Sequence, residues 1–144
     1  MQSNVLLLNF LMRRCMKLTY TILYVNNVTD SVLFYENAFG IKKRLIHESG
    51  DYAEMETGEV TLAFCAHNLA KEVVKQNYRK ASQGQLIGSQ ISFEPHNLKE
   101  AYEEALRNGA KSITPPEVKP WGWESAILMD LDGHIVELAK EIKT

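Results

Sequence analysis

The sequence is poor in cysteine, with only two among 144 residues, which is too few for a disulfide framework. It also lacks any apolar run of the ~18–20 residues that a membrane-spanning helix needs. Positive and negative charges nearly balance, with 16 Lys and Arg against 18 Asp and Glu, and no basic stripe stands out. These absences argue against a membrane partner and against nucleic acid as the main partner, and we expect a cytoplasmic protein.

The signatures of several enzyme classes are missing too. The sequence has no nucleophile elbow, no phosphate-binding glycine loop and no Cys-x-x-Cys pair, and its four histidines show no paired spacing such as H-E-x-x-H. Cys65 lies in an apolar run, which predicts a buried free thiol. Function therefore has to be sought in the fold and in single polar residues.

The first residues of the chain are a separate case. Val5 to Met12 are mostly apolar and are followed by Arg13-Arg14, which is the reverse of the order in a signal peptide. Two interpretations stay open: an additional helix that packs on the body, or an extension of the gene model ahead of a start at Met16. We favour the second, because the pattern that follows is complete without residues 1–16.

Residues 17–66 predict a strand, a helix and three further strands. The segment begins with KLTYTILYVN, which is rich in β-branched and aromatic residues. Apolar residues then recur at helical spacing up to Gly40, and Thr29 or Asp30 can cap this helix. The order of elements is therefore β-α-β-β-β.

The same order returns in residues 86–144, where Gly109 ends the second helix and Asp132-Gly133 is a hairpin signal. Residues 67–85, between the two units, are polar and weakly patterned, and we expect a connector that acts as a lid. A four-stranded sheet with a helix on one face needs cover on the other. The sequence therefore predicts an α+β domain of two β-α-β-β-β modules whose sheets pair into a cup.

Two runs carry a family resemblance. YVNNVTDSVLFYENAFGIKKR, with Phe34-Tyr35 and Phe39-Gly40, resembles the first strand and helix of the vicinal oxygen chelate superfamily, which includes glyoxalases, bleomycin-resistance proteins and extradiol dioxygenases. PWGWESAILMDLDGHIVELAK resembles the end of the second module in that superfamily. The resemblance implies the cup-shaped fold but leaves the activity open, because the superfamily contains both enzymes and binding proteins.

Alternation along the first strand of each module separates its two faces. Residues predicted to face the helices are Leu23, Val25, Ile91 and Phe93. Residues predicted to point into the cup and to bind a ligand include Tyr20, Tyr24, Gln90 and Ser92, with Ile22 and Glu94 on the same face. A second interpretation is that the tyrosine rings only close a hydrophobic layer.

The resemblance implies metal ligands on the first and last strands of each module. Gln90 and Glu137 occupy such places in the second module, whereas Tyr20 and Leu62 stand in the first. Two oxygen donors form an incomplete site for a transition metal, so a divalent metal cofactor remains only an option. Glu137 is the candidate catalytic base, and a simpler interpretation gives it a hydrogen bond to Tyr20 or Gln90 across the cup.

Trp121 and Trp123 flank Gly122 at a strand entrance and are predicted to wall a pocket that stacks on a planar or cationic ligand. Packing of one of them into the core is the alternative. Two functions follow: an enzyme of the lyase or isomerase type with Glu137 as base, or a non-catalytic protein that sequesters a drug or metabolite. The resemblance implies a homodimer. We further expect Tyr20, Gln90 and Glu137 to converge.

Overall fold

The computed structural model describes residues 2–143. Helix α1 spans Gln2–Arg14. The first module comprises β1 (Tyr20–Val25), α2 (Val28–Phe39), β2 (Lys43–Ile46), β3 (Tyr52–Met55) and β4 (Thr61–Ala66), and α3 (His67–Val74) follows it. The second module comprises β5 (Gln90–Phe93), α4 (Leu98–Arg107), β6 (Lys111–Val118), β7 (Trp123–Met129) and β8 (Ile135–Glu141).

Each module forms its own four-stranded sheet. The strand orders are β1-β4-β3-β2 and β5-β8-β7-β6, so the first strand of each module pairs with its last. Those two pairs, β1 with β4 and β5 with β8, are parallel, and the others are antiparallel. The α+β class and the duplicated module are therefore confirmed, and the two sheets are not closed into one barrel.

Helices α2 and α4 are each preceded by an asparagine that caps the first turn. The side chain of Asn27 accepts a hydrogen bond from the backbone nitrogen of Asp30 at 2.9 Å, and that of Asn97 accepts one from Glu100 at 3.0 Å. These are N-cap bonds, which satisfy a free donor of the first helical turn. The expectation that Thr29 or Asp30 caps α2 is wrong, because the helix already begins at Val28.

The core lies between the sheets and the helices. Val25 is fully buried in this core, and Leu23, Ile91 and Phe93 pack against the core, as the alternation along β1 and β5 predicts. Tyr20 and Ile22 lie on the opposite face, where the side chains of the two residues are 43% and 46% exposed. We call this side of each sheet the concave face.

One register prediction was wrong. Leu62 was expected opposite Glu137, but Leu62 belongs to the buried core. Superposing the two cap asparagines places Ile22 on Ser92, and their strand partners are Ala63 and Glu137. The loop from Gly58 to β4 is one residue longer than the loop from Gly133 to β8. A shift of one residue moves a side chain to the other face of a strand.

The turn between β7 and β8 is hydrogen-bonded to the first module, and we call these bonds the clasp. The buried hydroxyl of Tyr35 donates to Oδ2 of Asp130 at 2.6 Å, and the backbone nitrogens of Asp132 and His134 donate to Oδ1, each at 2.9 Å. Asp132 in turn accepts from the backbone nitrogen of Asn26 at 2.8 Å. Burial raises the pKa of the Tyr35 hydroxyl, and the neighbouring Asp130 carboxylate raises it further, so this hydroxyl stays a donor.

Several apolar side chains of helix α1 are exposed. Leu6 and Leu7, for example, are 70% and 57% exposed. Among residues 2–143 no helix is both long enough and apolar enough to cross a membrane. That residues 1–16 lie outside the native fold stays a prediction.

Candidate functional site

A connected set of polar side chains crosses the concave face of the second sheet. The carboxylate of Glu137, on β8, accepts from the hydroxyl of Ser92 at Oε1 (2.7 Å) and from that of Ser125 at Oε2 (2.8 Å). The amide of Gln90 donates to the Ser92 oxygen at 3.3 Å. Ser92 can serve both neighbours because a hydroxyl donates one bond and accepts others. The carboxylate is thereby held in one orientation.

Strand order explains why these groups meet. Strand β8 lies between β5 and β7, and Glu137 stands directly opposite Ser92 in the parallel pair. Side chains of paired residues point to the same face of a sheet. Ser125 was not among the predicted site residues. It lies two positions after Trp123, so the same alternation applied to β7 would have placed both on this face.

An open cleft of about 330 Å³ adjoins the Glu137 carboxylate. Both tryptophans line it, Trp121 at 70% and Trp123 at 37% exposure, and so does the carboxylate of Glu94. Glu141 stands opposite Trp123 in the β7–β8 pair and adds a third carboxylate at this end of the sheet. The full lining is Ser92, Phe93, Glu94, Trp121, Trp123, Ser125, Glu137 and Ala139. No lysine or arginine is among these described residues.

A second cleft, of about 340 Å³, lies between the modules. Thr21 and Leu62 line it from the first module, and Gln90 lines it from the second. It shares Ser92 and Phe93 with the tryptophan-lined cleft. Gln90 therefore stands at the seam, and the two clefts meet along β5.

Among the described residues, neither Tyr20 nor Tyr24 makes a hydrogen bond to this polar group on the second sheet. Tyr20 lies on the first sheet beside Tyr52, whose pKa is raised by burial, by its hydrogen bond to Glu54 and, to a smaller degree, by Tyr20. Tyr24, on the same face, contacts the ring of Tyr78 with centroids 5.2 Å apart. The expected bond from Glu137 to Tyr20 is thus replaced by two bonds within the second sheet, because each module keeps a sheet of its own.

The residues present do not fit a catalytic divalent metal. Among the residues that the structure describes, no three His, Cys, Asp or Glu side chains lie close enough to hold an ion. Gln90 and Glu137 are joined through Ser92, and the places equivalent to Gln90 and Glu137 in the first module hold Tyr20 and Ala63. A methyl group cannot ligate a metal, and ions such as zinc are bound in proteins by Cys, His, Asp and Glu side chains. No step of the chemistry is therefore assigned to a metal ion.

The connector does not cover the tryptophan-lined cleft. After α3, residues 75–85 run past Tyr24 and reach the β7–β8 turn, where the amide of Gln83 donates to the backbone oxygen of Leu131 at 3.1 Å. The tryptophans lie at the opposite end of β7. None of residues 67–85 lines that cleft. That residues 67–85 act as a lid stays a prediction, since here the connector is held by contacts to the turn and not at this cleft.

A duplicated βαβββ fold with a polar and aromatic concave face defines a class of two-module cup proteins. The model of the Glyoxalase-like domain matches residues 18–143, and the chain belongs to this family. The resemblance to the vicinal oxygen chelate superfamily is thereby confirmed.

Solved structures share the fold. A glyoxalase/bleomycin resistance protein/dioxygenase family enzyme from Burkholderia phytofirmans PsJN has a TM-score of 0.75 at 18% identity, covering 88% of this chain and 100% of its own. A glyoxalase/bleomycin resistance protein/dioxygenase from Nocardioides has a TM-score of 0.72 at 17% sequence identity, and the match covers 99% of this chain and 95% of that protein. A protein of unknown function from Agrobacterium tumefaciens has a TM-score of 0.72 at 22% sequence identity, and the match covers 90% of this chain and 97% of that protein. No curated protein matches.

Proposed function

We propose that the chain binds a small planar molecule carrying a positive charge or hydrogen-bond donors in the cleft formed by Trp121, Trp123 and Glu137. The observation that carries the proposal is the lining itself: two tryptophans and two carboxylates share one cleft, and no basic side chain lines it among the described residues. Acidic groups attract a cation, and indole faces bind cations and planar rings.

The energies are of the size that a binding site needs. A cation over an indole face contributes about 0.5–2 kcal/mol, the larger value when water is excluded. A carboxylate that is already oriented loses little freedom when it accepts a bond from the ligand. Glu137 meets this condition, because Ser92 and Ser125 hold its two oxygens at 2.7 and 2.8 Å.

A thermal-shift screen of planar cations and neutral planar analogues tests the proposal. A ligand present at 100 times its Kd stabilises the fold by about 2.7 kcal/mol. We expect Trp123→Ala and Glu137→Gln to weaken binding, and Glu59→Gln, at an exposed loop, to leave it unchanged. A ligand whose affinity is the same in Trp123→Ala as in the wild type would place binding elsewhere and refute the proposal.

Catalysis of the lyase or isomerase type is the second candidate. It is favoured by the position of Glu137, which lines the cleft and could take a proton from a bound substrate. If Glu137 is a general base, Glu137→Gln should lower kcat by about 10²–10⁴-fold while the substrate still binds. Suitable first substrates are 2-oxoaldehyde thiohemiacetals. Equal turnover by wild type and variant would reject the base, and binding without turnover would leave sequestration as the function.

We also propose that the chain forms a homodimer that covers the open concave face. The proposal is supported by Tyr20 and Ile22, which are 43% and 46% exposed on that face. Light scattering of the wild type should give twice the monomer mass, and Ile22→Lys should lower it. A wild type that is strictly monomeric at high concentration would refute the dimer without affecting the ligand site.

A further inference from the structure

Beyond α3, the connector continues as an irregular segment, residues 75–85, which we call the strap. Near its start, the Tyr78 hydroxyl lies 2.7 Å from Nδ1 of His67, and the two rings stack with centroids 5.7 Å apart. The Tyr78 ring also contacts Tyr24, at 5.2 Å. The strap therefore covers the end of β1 on the concave face of the first sheet.

The far end of the strap is held in another way. Gln83 donates to the backbone oxygens of Asp130 and Leu131 at 3.3 and 3.1 Å, and its own amide oxygen accepts from Lys111 at 2.7 Å. The amide of Gln83 and the two backbone oxygens that it contacts do not titrate. His67 is thus the strap anchor that can change its charge near neutral pH.

His67 is held in a way that suits only its neutral form. Its side chain is almost completely buried, and among the described residues its Nε2 atom has no hydrogen-bond partner. A neutral imidazole has one donor and one acceptor nitrogen. If Nδ1 donates to the Tyr78 oxygen, Nε2 carries only a lone pair. Protonation would place a buried N–H at Nε2 without an acceptor, which costs free energy.

The charges that face His67 are mostly positive. They come from Lys71 on α3, from Lys80 on the strap, and from His134 on the β7–β8 turn when it is protonated. Asp132, on the same turn, acts in the opposite direction, but its carboxylate already accepts from Asn26. Burial, and then Lys80, lower the pKa of His67 below its ordinary range.

We propose that His67 is a pH-sensitive latch: the strap closes on Tyr24 while the imidazole is neutral and releases when the imidazole gains a proton. Release lets water reach Nε2 and separates the new charge from Lys80. The closed state binds fewer protons than the open state, since the folded pKa is lowered. Closing is therefore favoured above the ordinary pKa of about 6.5 and is lost as the pH falls below it. Cys65, paired with Tyr24 across the strands, would become accessible on release.

Amide hydrogen exchange of the full chain, corrected for intrinsic rates, tests the latch. Between about pH 7.5 and pH 5, protection of the strap amide of Lys75, which bonds to the Lys71 oxygen on the Tyr78 side of the Gln83 anchor, should fall while strands β3 and β4 stay protected. His67→Gln keeps a donor for Tyr78 but cannot gain a proton, so its strap protection should not change with pH. His134→Gln, which removes the other histidine near the strap, is the matched control: strap protection should still be lost as the pH falls, with the midpoint moved slightly to higher pH because a positive neighbour of His67 is gone.

A second measurement needs no variant. The ring signals of His67 in the wild type, followed by NMR, should titrate with the same midpoint as the loss of strap protection. Strap protection that is independent of pH would overturn the proposal, as would its loss together with β3 and β4. A response that persists in His67→Gln, or that disappears in His134→Gln, would do the same by assigning the pH dependence to another group.

Discussion

Replacing Tyr35 with Phe removes one hydroxyl and keeps the ring, so it isolates the bond that ties α2 to the last hairpin. Tyr35 is 1% exposed, and its hydroxyl donates to Asp130 at 2.6 Å. A hydrogen bond to a charged group contributes about 1.5–3 kcal/mol. Asp130 keeps its two backbone donors, at Asp132 and His134. We therefore expect Tyr35→Phe to lower the free energy of unfolding by about 1.5–3 kcal/mol, a large share of the ~5–15 kcal/mol typical of a domain.

Urea unfolding at neutral pH measures this difference, and the slope of the free energy with urea should not change. Tyr102→Phe is the matched control, because the Tyr102 hydroxyl bonds Ser112 at 2.7 Å in an exposed place. Its expected effect is within about 0.5 kcal/mol. If Tyr35→Phe lowers the free energy of unfolding no more than Tyr102→Phe does, then the clasp depends on the backbone donors alone and the reasoning fails.

Two further predictions concern the same turn. A Cβ added at Gly133, where φ is +95°, would overlap the backbone of Ser82 and lie 2.7 Å from the nitrogen of Gln83. Gly133→Ala should therefore lower the free energy of unfolding more than Gly50→Ala, where φ is +77° but the surroundings are open. In urea unfolding, Gly50→Ala should cost about 1–2 kcal/mol. Equal costs for the two variants would contradict the clash. Burial raises the pKa of the Asp130 carboxyl group, so this group binds a proton more tightly in the folded state than in the unfolded state. The stability of the wild type relative to Asp130→Asn should then rise as the pH falls toward the ordinary value of about 3.9, and a difference that is flat with pH would refute this.

The two faces of the first strands could be predicted from the sequence. A strand that packs one face on helices must alternate apolar and other residues, and the period of two leaves only one consistent register. Leu23 and Phe93 pack against the core, and Tyr20 and Gln90 lie on the concave face. Glu137 and Ser92 fall on one face for the same reason, which brought most of the second-module site together.

The equivalence of positions on β4 and β8, the last strands of the two modules, could not be predicted in the same way. One residue of difference between the loops before β4 and β8 put Ala63, and not Leu62, at the place equivalent to Glu137. No periodicity reports the length of an irregular loop. The path of the connector could not be predicted for a related reason, because it is held by single contacts, such as those of Tyr78 and Gln83, which leave no repeating pattern.

The two modules share a plan but differ in chemistry, and the contacts between them explain how the site is kept rigid. The second module carries the hydrogen-bonded carboxylate of Glu137, whereas the equivalent place in the first module is the methyl group of Ala63. Glu137, Ser125 and Trp123 all lie on the β7–β8 hairpin. The turn of that hairpin is fixed by Tyr35 of the first module at Asp130. The first module therefore serves the site through packing and the clasp, because it holds in place the hairpin from which the carboxylate and the indole face the cleft.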